Sequence, residues 1–286
     1  MSLLERYGII ADIHETTSLT EATLVARKAS GSYRLVLAGG GDGTISAVAA
    51  GLSGTGCCMG MIPFGSGNDV ARGLHISRGL HASIRHLSDR LSDLSDTGTD
   101  PSDHVVRYID TGQLTSEAPH SFFLNTLGVG FDGKVADNAT HTRLFRGKTK
   151  YLFGVLKSLF TYRATSMTVT TDQGNISGRF LMVTVANGSY EGGGIRIAPE
   201  ADHSDGLFNV VMIRDTGLWA RIPLLIRVLL WGARPDDKIS TVTTRHVRIE
   251  TEDAVFVHAD GEIISRQLKF ITAKVDPGSL KMITGY

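Results

Sequence analysis

The chain has only two cysteines in 286 residues, and they are neighbours, Cys57 and Cys58. Adjacent cysteines rarely bridge each other, and two thiols cannot complete a structural zinc site. A disulfide framework and a cysteine-built metal centre are therefore both excluded. The pair reads as small buried residues in a reducing compartment. Net charge is also lacking, since 29 Lys+Arg balance 29 Asp+Glu. Neutrality argues against general nucleic-acid binding, so any attraction to phosphate or anionic lipid must be local. Long apolar runs are missing too. The greasiest stretch, residues 218–233, is broken by Arg221, Pro223 and Arg227, whereas a membrane span needs about 20 mostly apolar residues. No positively charged, apolar leader is visible at the N-terminus, and there is no repeat or low-complexity tract.

Glycine and aliphatic residues are plentiful. Thirty-three glycines beside 42% hydrophobic residues indicate tight turns and close backbone approaches in a folded chain. The length accommodates two domains. Residues 7–15 read as a strand, and residues 20–29 as a helix capped by Ser18 or Thr20. A buried strand at 34–38 then runs into Gly39-Gly40-Gly41-Asp42-Gly43-Thr44, followed by helical spacing over 45–52. A second apolar strand, 58–62, runs into Pro63-Phe64-Gly65-Ser66-Gly67-Asn68-Asp69, with a helix expected from about Val70. Strand, glycine loop and helix, given twice, mark an open doubly wound α/β sheet.

Residues 87–103, rich in Ser, Asp and Thr, read as a linker or exposed bend. Beyond them come strand-like segments at 105–114, 121–129, 166–171, 179–187, 207–213, 242–250, 254–259 and 267–275. Helices are expected around 144–161 and 218–233. Short strands at this spacing suggest a β-sandwich-like domain. The expected architecture is α/β plus β, with an α/β domain over residues 1–103 and a β-rich domain over 104–275. A tail, 276–286, would return to the first domain, and the active site would lie in the cleft between the two.

The glycine loops carry the first chemical signal. A triphosphate crowds its oxygens, so backbone N–H donors without side chains, backed by a helix N-terminus, suit it. Gly40, Gly41, Asp42, Gly43 and Thr44 offer such a loop, and Gly65, Ser66, Gly67, Asn68 and Asp69 offer a second. Asp42 would either hold a metal-bound water or fix the loop by accepting backbone amides. Neither loop is a Walker A or Gly-x-Gly-x-x-Gly sequence, and one such loop alone could be a plain glycine turn. Two on the same sheet edge read as a nucleotide site. His75, His81 and His86 lack metal-site spacing and read as surface or packing residues.

These motifs, continued through Val70-Ala71-Arg72, resemble the diacylglycerol kinase catalytic-domain family, which includes the bacterial, sphingosine and ceramide lipid kinases. The first motif is shared with NAD kinases and phosphofructokinases; the second is more specific to the lipid kinases. Phe123-Leu124-Asn125 with Gly128-Val129-Gly130-Phe131-Asp132 is similar to a further family segment. So are Gly192-Gly193-Gly194 through Asp202-His203-Ser204-Asp205-Gly206-Leu207, and Asp260-Gly261-Glu262.

The resemblance implies an ATP- and Mg²⁺-dependent lipid kinase that moves the γ-phosphate of the nucleoside triphosphate onto diacylglycerol or a related lipid alcohol. The alternatives are an inactive nucleotide- or lipid-binding homologue, or a kinase of a soluble substrate such as NAD. It implies Asp260 as general base, assisted by Glu262, with Asp132 linking the nucleotide's Mg²⁺ to the reaction. It also implies a structural Mg²⁺ at Asp205, with main-chain oxygens near Asp202 and Leu207. By residue type alone Asp260-Gly261 is a turn, Asp132 a capping residue and Asp205-Gly206 a hairpin. Residues 215–234, with two Trp and three Arg, are either a helix packed on the sandwich or a membrane-facing element. A cytoplasmic enzyme peripheral to the inner membrane face would result, as monomer or homodimer.

Two departures stand out. The family's first strand and its Asn-Pro loop precede the part seen here, where residues 3–6 read as the end of the following helix. After Thr44 the family has Asn-Glu where this chain has Ser46-Ala47. The missing strand is expected to expose a sheet edge, and the missing acid to weaken metal or nucleotide positioning.

Overall fold

The computed structural model describes residues 3–96, 106–116, 122–141 and 148–285. In chain order the N-terminal part holds α1 (Leu3–Arg6), α2 (Leu19–Ala29), β1 (Leu35–Gly40), α3 (Asp42–Leu52), β2 (Cys58–Pro63), α4 (Asp69–Gly73) and α5 (Leu80–Asp96). The β-rich part begins with β3 (Val106–Thr115), β4 (Phe122–Phe123), β5 (Thr126–Gly130), α6 (Phe131–His141) and α7 (Lys148–Thr161). It continues with β6 (Thr165–Thr171), β7 (Gly174–Ala186), β8 (Phe208–Arg214), α8 (Leu218–Trp231), β9 (Ile239–Thr244), β10 (His246–Ala259) and β11 (Glu262–Ile283).

β1 and β2 pair in parallel, from Leu35 with Cys58 to Gly40 with Pro63. Their apolar side chains meet α2 and α3 in a core that includes Ala26, Ile45, Leu52 and Met59. Helix α2 starts where expected: the Ser18 hydroxyl accepts the Glu21 amide, and the Glu21 carboxylate reaches back to Thr17, a reciprocal cap that satisfies orphan donors. Strands β5, β7, β8 and β10 form antiparallel pairs around Phe123, Phe180, Phe208 and Val257. The 22-residue β11 joins the two parts. It pairs with β10 near its start, with β3 further along, and with β2 in parallel at Lys281 and Met282. Pro277-Gly278 does not end it, because the register shifts between Asp276 and Leu280, where a bulge absorbs both residues.

Two expectations need correction. Residues 7–15 form no strand. The alternation is there, but no neighbouring strand among the described residues offers a ladder, and Ile10 is left 94% exposed. Residues 87–96 belong to α5 rather than a linker; Ile84, Leu87 and Leu91 pack on one helical face beneath the Ser and Asp of the other. The rest of that stretch, like residues 144–147, lies outside the described residues. Helix α6 was not expected at all. It follows directly on β5, so Asp132 stands in its first turn.

Candidate functional site

Parallel β1 and β2 deliver both glycine loops to one sheet edge. Gly40 ends β1, Gly41 caps α3, and Asp42, Gly43 and Thr44 form its first turn. No side chain caps α3, so its N-terminal dipole and amides face outward without an internal acceptor. Gly65, Ser66 and Gly67 follow β2, and Asn68, in the left-handed conformation at φ 54°, opens α4 at Asp69. The loops touch: a Cβ on Gly65 would lie 2.5 Å from the Gly41 Cα.

Of the two readings of Asp42, the geometry matches the fastener. Its carboxylate accepts the amides of Asn68 and Asp69, each at 2.7 Å, and that of Val70 at 3.4 Å. Burial raises its pKa while these amides oppose the rise. Asp69 in turn reaches into the β-rich part, accepting the Gly193 amide at 2.7 Å. Burial is the main cause that pushes Asp69 up to about 6. The second glycine motif thus anchors the Gly192–Gly194 loop as well as flanking the first.

The Asp260-Gly261-Glu262 segment sits opposite. Asp260 and Gly261 both have positive φ, 50° and 84°, and connect β10 to β11, the two-residue turn that Asp-Gly favours. Oδ1 of Asp260 accepts the amides of Asn125 and Thr126, at 2.8 and 3.0 Å; Oδ2 accepts that of Leu124, at 2.7 Å, and the Ser46 hydroxyl. Ser46 lies on α3, so this contact crosses the cleft. Glu262 is exposed; a Cβ on Gly43 would lie 3.5 Å from its Oε1. The turn therefore faces the first glycine loop.

Asp132 is not at the cleft surface. It is buried, with Oδ2 receiving the Thr184 hydroxyl at 3.2 Å and lying 3.2 Å from His258 Nε2. Glu191 Oε1 lies 3.0 Å from the same nitrogen. Burial and the Asp132 charge push Glu191 up to about 7. Burial opposes charging of His258, but the Asp132 and Glu191 carboxylates outweigh it and raise its proton affinity. Sequence reasoning passed over Glu191 and His258, and met Ser46 only as a departure from the family. One signal was available for His258: it precedes Asp260 by two positions on an alternating strand.

Asp202, Asp205 and Leu207 share one loop. Oδ1 of Asp205 accepts the Leu207 amide at 2.9 Å, and Asp202 accepts the Ser204 amide and hydroxyl. Buried Asp110, also unforeseen, accepts the Gly206 and Gly278 amides at 2.7 Å, tying the loop to the β11 bulge. Burial raises the Asp205 pKa, the Leu207 amide opposes the rise, and the Asp202 and Asp110 charges add to it. Carboxylate and main-chain oxygens on one short loop are the ligand type that a hard divalent cation takes. Beside the loop, Arg107, Tyr190, Arg196, Asp202 and Ser204 line a cavity of about 320 Å³ that the glycine loops do not reach.

Comparison with known proteins bears on this arrangement. Residues 1–99 match the diacylglycerol kinase catalytic domain, and residues 125–284 match the YegS C-terminal NAD kinase beta sandwich-like domain. A protein of Pseudomonas putida named "Probable lipid kinase YegS-like" is 30% identical over 259 residues, covering 89% of this chain and 79% of that one. A diacylglycerol kinase of Mycobacterium tuberculosis is 28% identical over 254 residues, 88% of this chain and 76% of its own. In fold, a diacylglycerol kinase crystal structure from Bacillus anthracis superimposes with a TM-score of 0.72 at 22% identity, covering 95% of this chain and 85% of that chain. An NAD kinase from Archaeoglobus fulgidus in complex with ATP gives 0.52 at 14%, covering 99% and 86%. The relatives' names do not favour the inactive or soluble-substrate alternatives.

Proposed function

We propose, from the premise that this chain belongs to the diacylglycerol kinase and YegS-like kinase family, that it transfers the γ-phosphate of ATP to the hydroxyl of diacylglycerol or a related lipid alcohol. One observation carries the reading: the Asp260-Gly261-Glu262 turn faces the Gly40–Thr44 loop, bringing a carboxylate pair against a phosphate cradle. Phosphoryl transfer depends mainly on positioning and charge neutralisation. The glycine loops and the N-terminus of α3 would hold the triphosphate. Magnesium at the Asp202–Leu207 loop would be structural; with the nucleotide it would neutralise phosphate charge.

In this reading the lipid hydroxyl oxygen attacks the γ-phosphorus and its proton passes to Asp260, while the bond to the β-phosphate oxygen breaks and ADP leaves. Three of the acceptor positions on Asp260 are taken by backbone amides and the fourth by the Ser46 hydroxyl. The incoming hydroxyl therefore takes the place of Ser46.

Lipid must reach this site from a bilayer. Helix α8 turns Trp219, Leu229, Leu230 and Trp231 outward, with Trp219 81% exposed, and α7 adds Leu156 and Phe160. No helix among the described residues is long and apolar enough to cross a membrane, so this face would lie on the headgroup boundary. Of the three arginines, Arg221 is buried against Asp215 and Arg227 pairs with Asp236; Arg234 is left exposed to meet anionic lipid. The enzyme would act at the cytoplasmic membrane face. The test is transfer of radiolabelled γ-phosphate to diacylglycerol in mixed micelles with Mg²⁺. Labelled lipid supports the reading, and its absence with the active-site residues intact would sink it.

A further inference from the structure

Gly128, on β5, stands where no side chain fits: a Cβ there would lie 2.1 Å from His258 Nε2 and 2.4 Å from Asp132 Oδ2. The space it leaves holds a buried polar cluster drawn from three elements. Asp132 comes from the first turn of α6, Glu191 from the segment before the triple glycine, and His258 from β10. His258 is 1% exposed. Its Nε2 lies 3.0 Å from Glu191 and 3.2 Å from Asp132. Its Nδ1 accepts the Gly261 amide at 3.2 Å, and Gly261 is the second residue of the turn that presents Asp260. The carboxylates alone would favour a charged ring, but a second proton on Nδ1 would face the Gly261 N–H donor, so the ring keeps its one proton on Nε2, on the side of the two carboxylates.

We propose that His258 is a positioning residue for phosphoryl transfer. The close approach of Nε2 to the Asp132 and Glu191 carboxylates holds the ring, and Nδ1 then accepts the Gly261 amide and sets the orientation of the Asp260-Gly261-Glu262 turn. The proposal rests on the kinase reading above. By composition, two carboxylates and an imidazole would also suit a divalent cation. The Gly261 amide decides against it. A metal-bound histidine gives its second N–H to an acceptor, whereas here a donor faces the second nitrogen.

The Asp260 turn has other anchors, the Leu124–Thr126 amides and Ser46. They fix the carboxylate, while His258 fixes the following peptide, which sets where Glu262 departs along β11. Loss of the ring should therefore misplace the turn without touching the nucleotide loops.

Two measurements test this. In ¹⁵N-histidine NMR of the wild-type protein, the resonance lost in His258→Gln should report an Nε2–H tautomer. An Nδ1–H tautomer, or loss of the Nε2 proton on adding Mg²⁺, overturns the proposal. In steady-state phosphotransfer, His258→Leu should lower kcat about 100-fold with KM for ATP changed less than about 2-fold. His258→Gln, which keeps a donor and an acceptor, should stay within about 10-fold of wild type. If circular dichroism shows His258→Leu unfolded, the pair Glu191→Leu and Glu191→Gln should give the same loss and rescue. Normal kcat in a folded leucine variant overturns the positioning role alone. A wild-type protein that labels no lipid overturns the kinase reading and the role together, with the tautomer still decided by NMR.

Discussion

Gly65 packs against Gly41 backbone to backbone, with room for no Cβ between them: one on Gly65 would come within 2.5 Å of the Gly41 Cα. The contact makes the two phosphate loops one surface. Gly65→Ala should push them apart, costing about 1–3 kcal/mol of stability and raising KM for ATP. Thermal unfolding and ATP titration check both effects, and an alanine variant with wild-type values would show that the loops tolerate separation.

The Asp260 carboxylate is bound by three amides and one hydroxyl, so Asp260→Asn is not a purely catalytic substitution. The new amide group would turn an N–H toward backbone donors, leaving buried donors unmatched at about 1–3 kcal/mol. The asparagine variant should lose phosphotransfer and also unfold at lower temperature. Ser46→Ala should separate the two effects. It frees one lone pair of Asp260, so lipid phosphorylation should persist or rise, with a lower KM for the lipid. A large fall in kcat in Ser46→Ala would mean that the hydroxyl orients Asp260 instead of holding the place of the substrate.

Asp69 predicts a pH effect of definite sign. Its pKa rises from 3.8 in the unfolded chain to about 6 in the fold. The folded state thus binds more protons between those values, and this group's contribution to stability is lost as pH rises through about 6. Asp69→Asn removes the buried charge while its side-chain oxygen can still accept the Gly193 amide. Relative to wild type, the variant should gain stability between pH 4 and pH 7, by up to about 3 kcal/mol at roughly 1.4 kcal/mol per unit. Urea unfolding at both pH values measures the difference; a gain at pH 4 that vanishes at pH 7 would contradict it.

Leu229 and Leu230 project from α8 into solvent. Replacing both by Ser should change stability by less than about 1 kcal/mol, as expected for exposed sites. Affinity for vesicles of phosphatidylcholine and phosphatidylglycerol should fall about 10-fold or more, because each buried leucine contributes on the order of 1.5 kcal/mol or more. Cosedimentation measures it. Unchanged binding would assign the exposed face of α8 to something other than a bilayer.

Much of the N-terminal fold was legible because local signals agreed there: apolar strands ran into glycine loops, and Ser18 and Glu21 capped a helix at their own spacing. Legibility failed where distant partners decided the outcome. Residues 7–15 alternate like a strand but have no ladder to join, and residues 87–96 look polar until Leu87 and Leu91 of α5 are laid against Ile62, Val106 and Ile283. Strand β11 runs through Pro277-Gly278 because its pairing with β3 resumes on the far side, with a bulge between Asp276 and Leu280.

The candidate site divides the same way. By itself the sequence determined which residue types were present: two glycine loops with a helix after each, an Asp-Gly turn ending a buried strand, and acids in a short loop. These are local, since φ requirements and capping act over a few residues. Only the tertiary structure decided what each acid touches. Asp42 and Asp69 accept backbone amides of neighbouring loops, Asp132 is sealed in with His258 and Glu191, and Asp260 meets Ser46, 214 positions away in sequence. A carboxylate's role depends on which donors surround it and how dry its surroundings are, and both are set by chain segments that sequence spacing does not bring together.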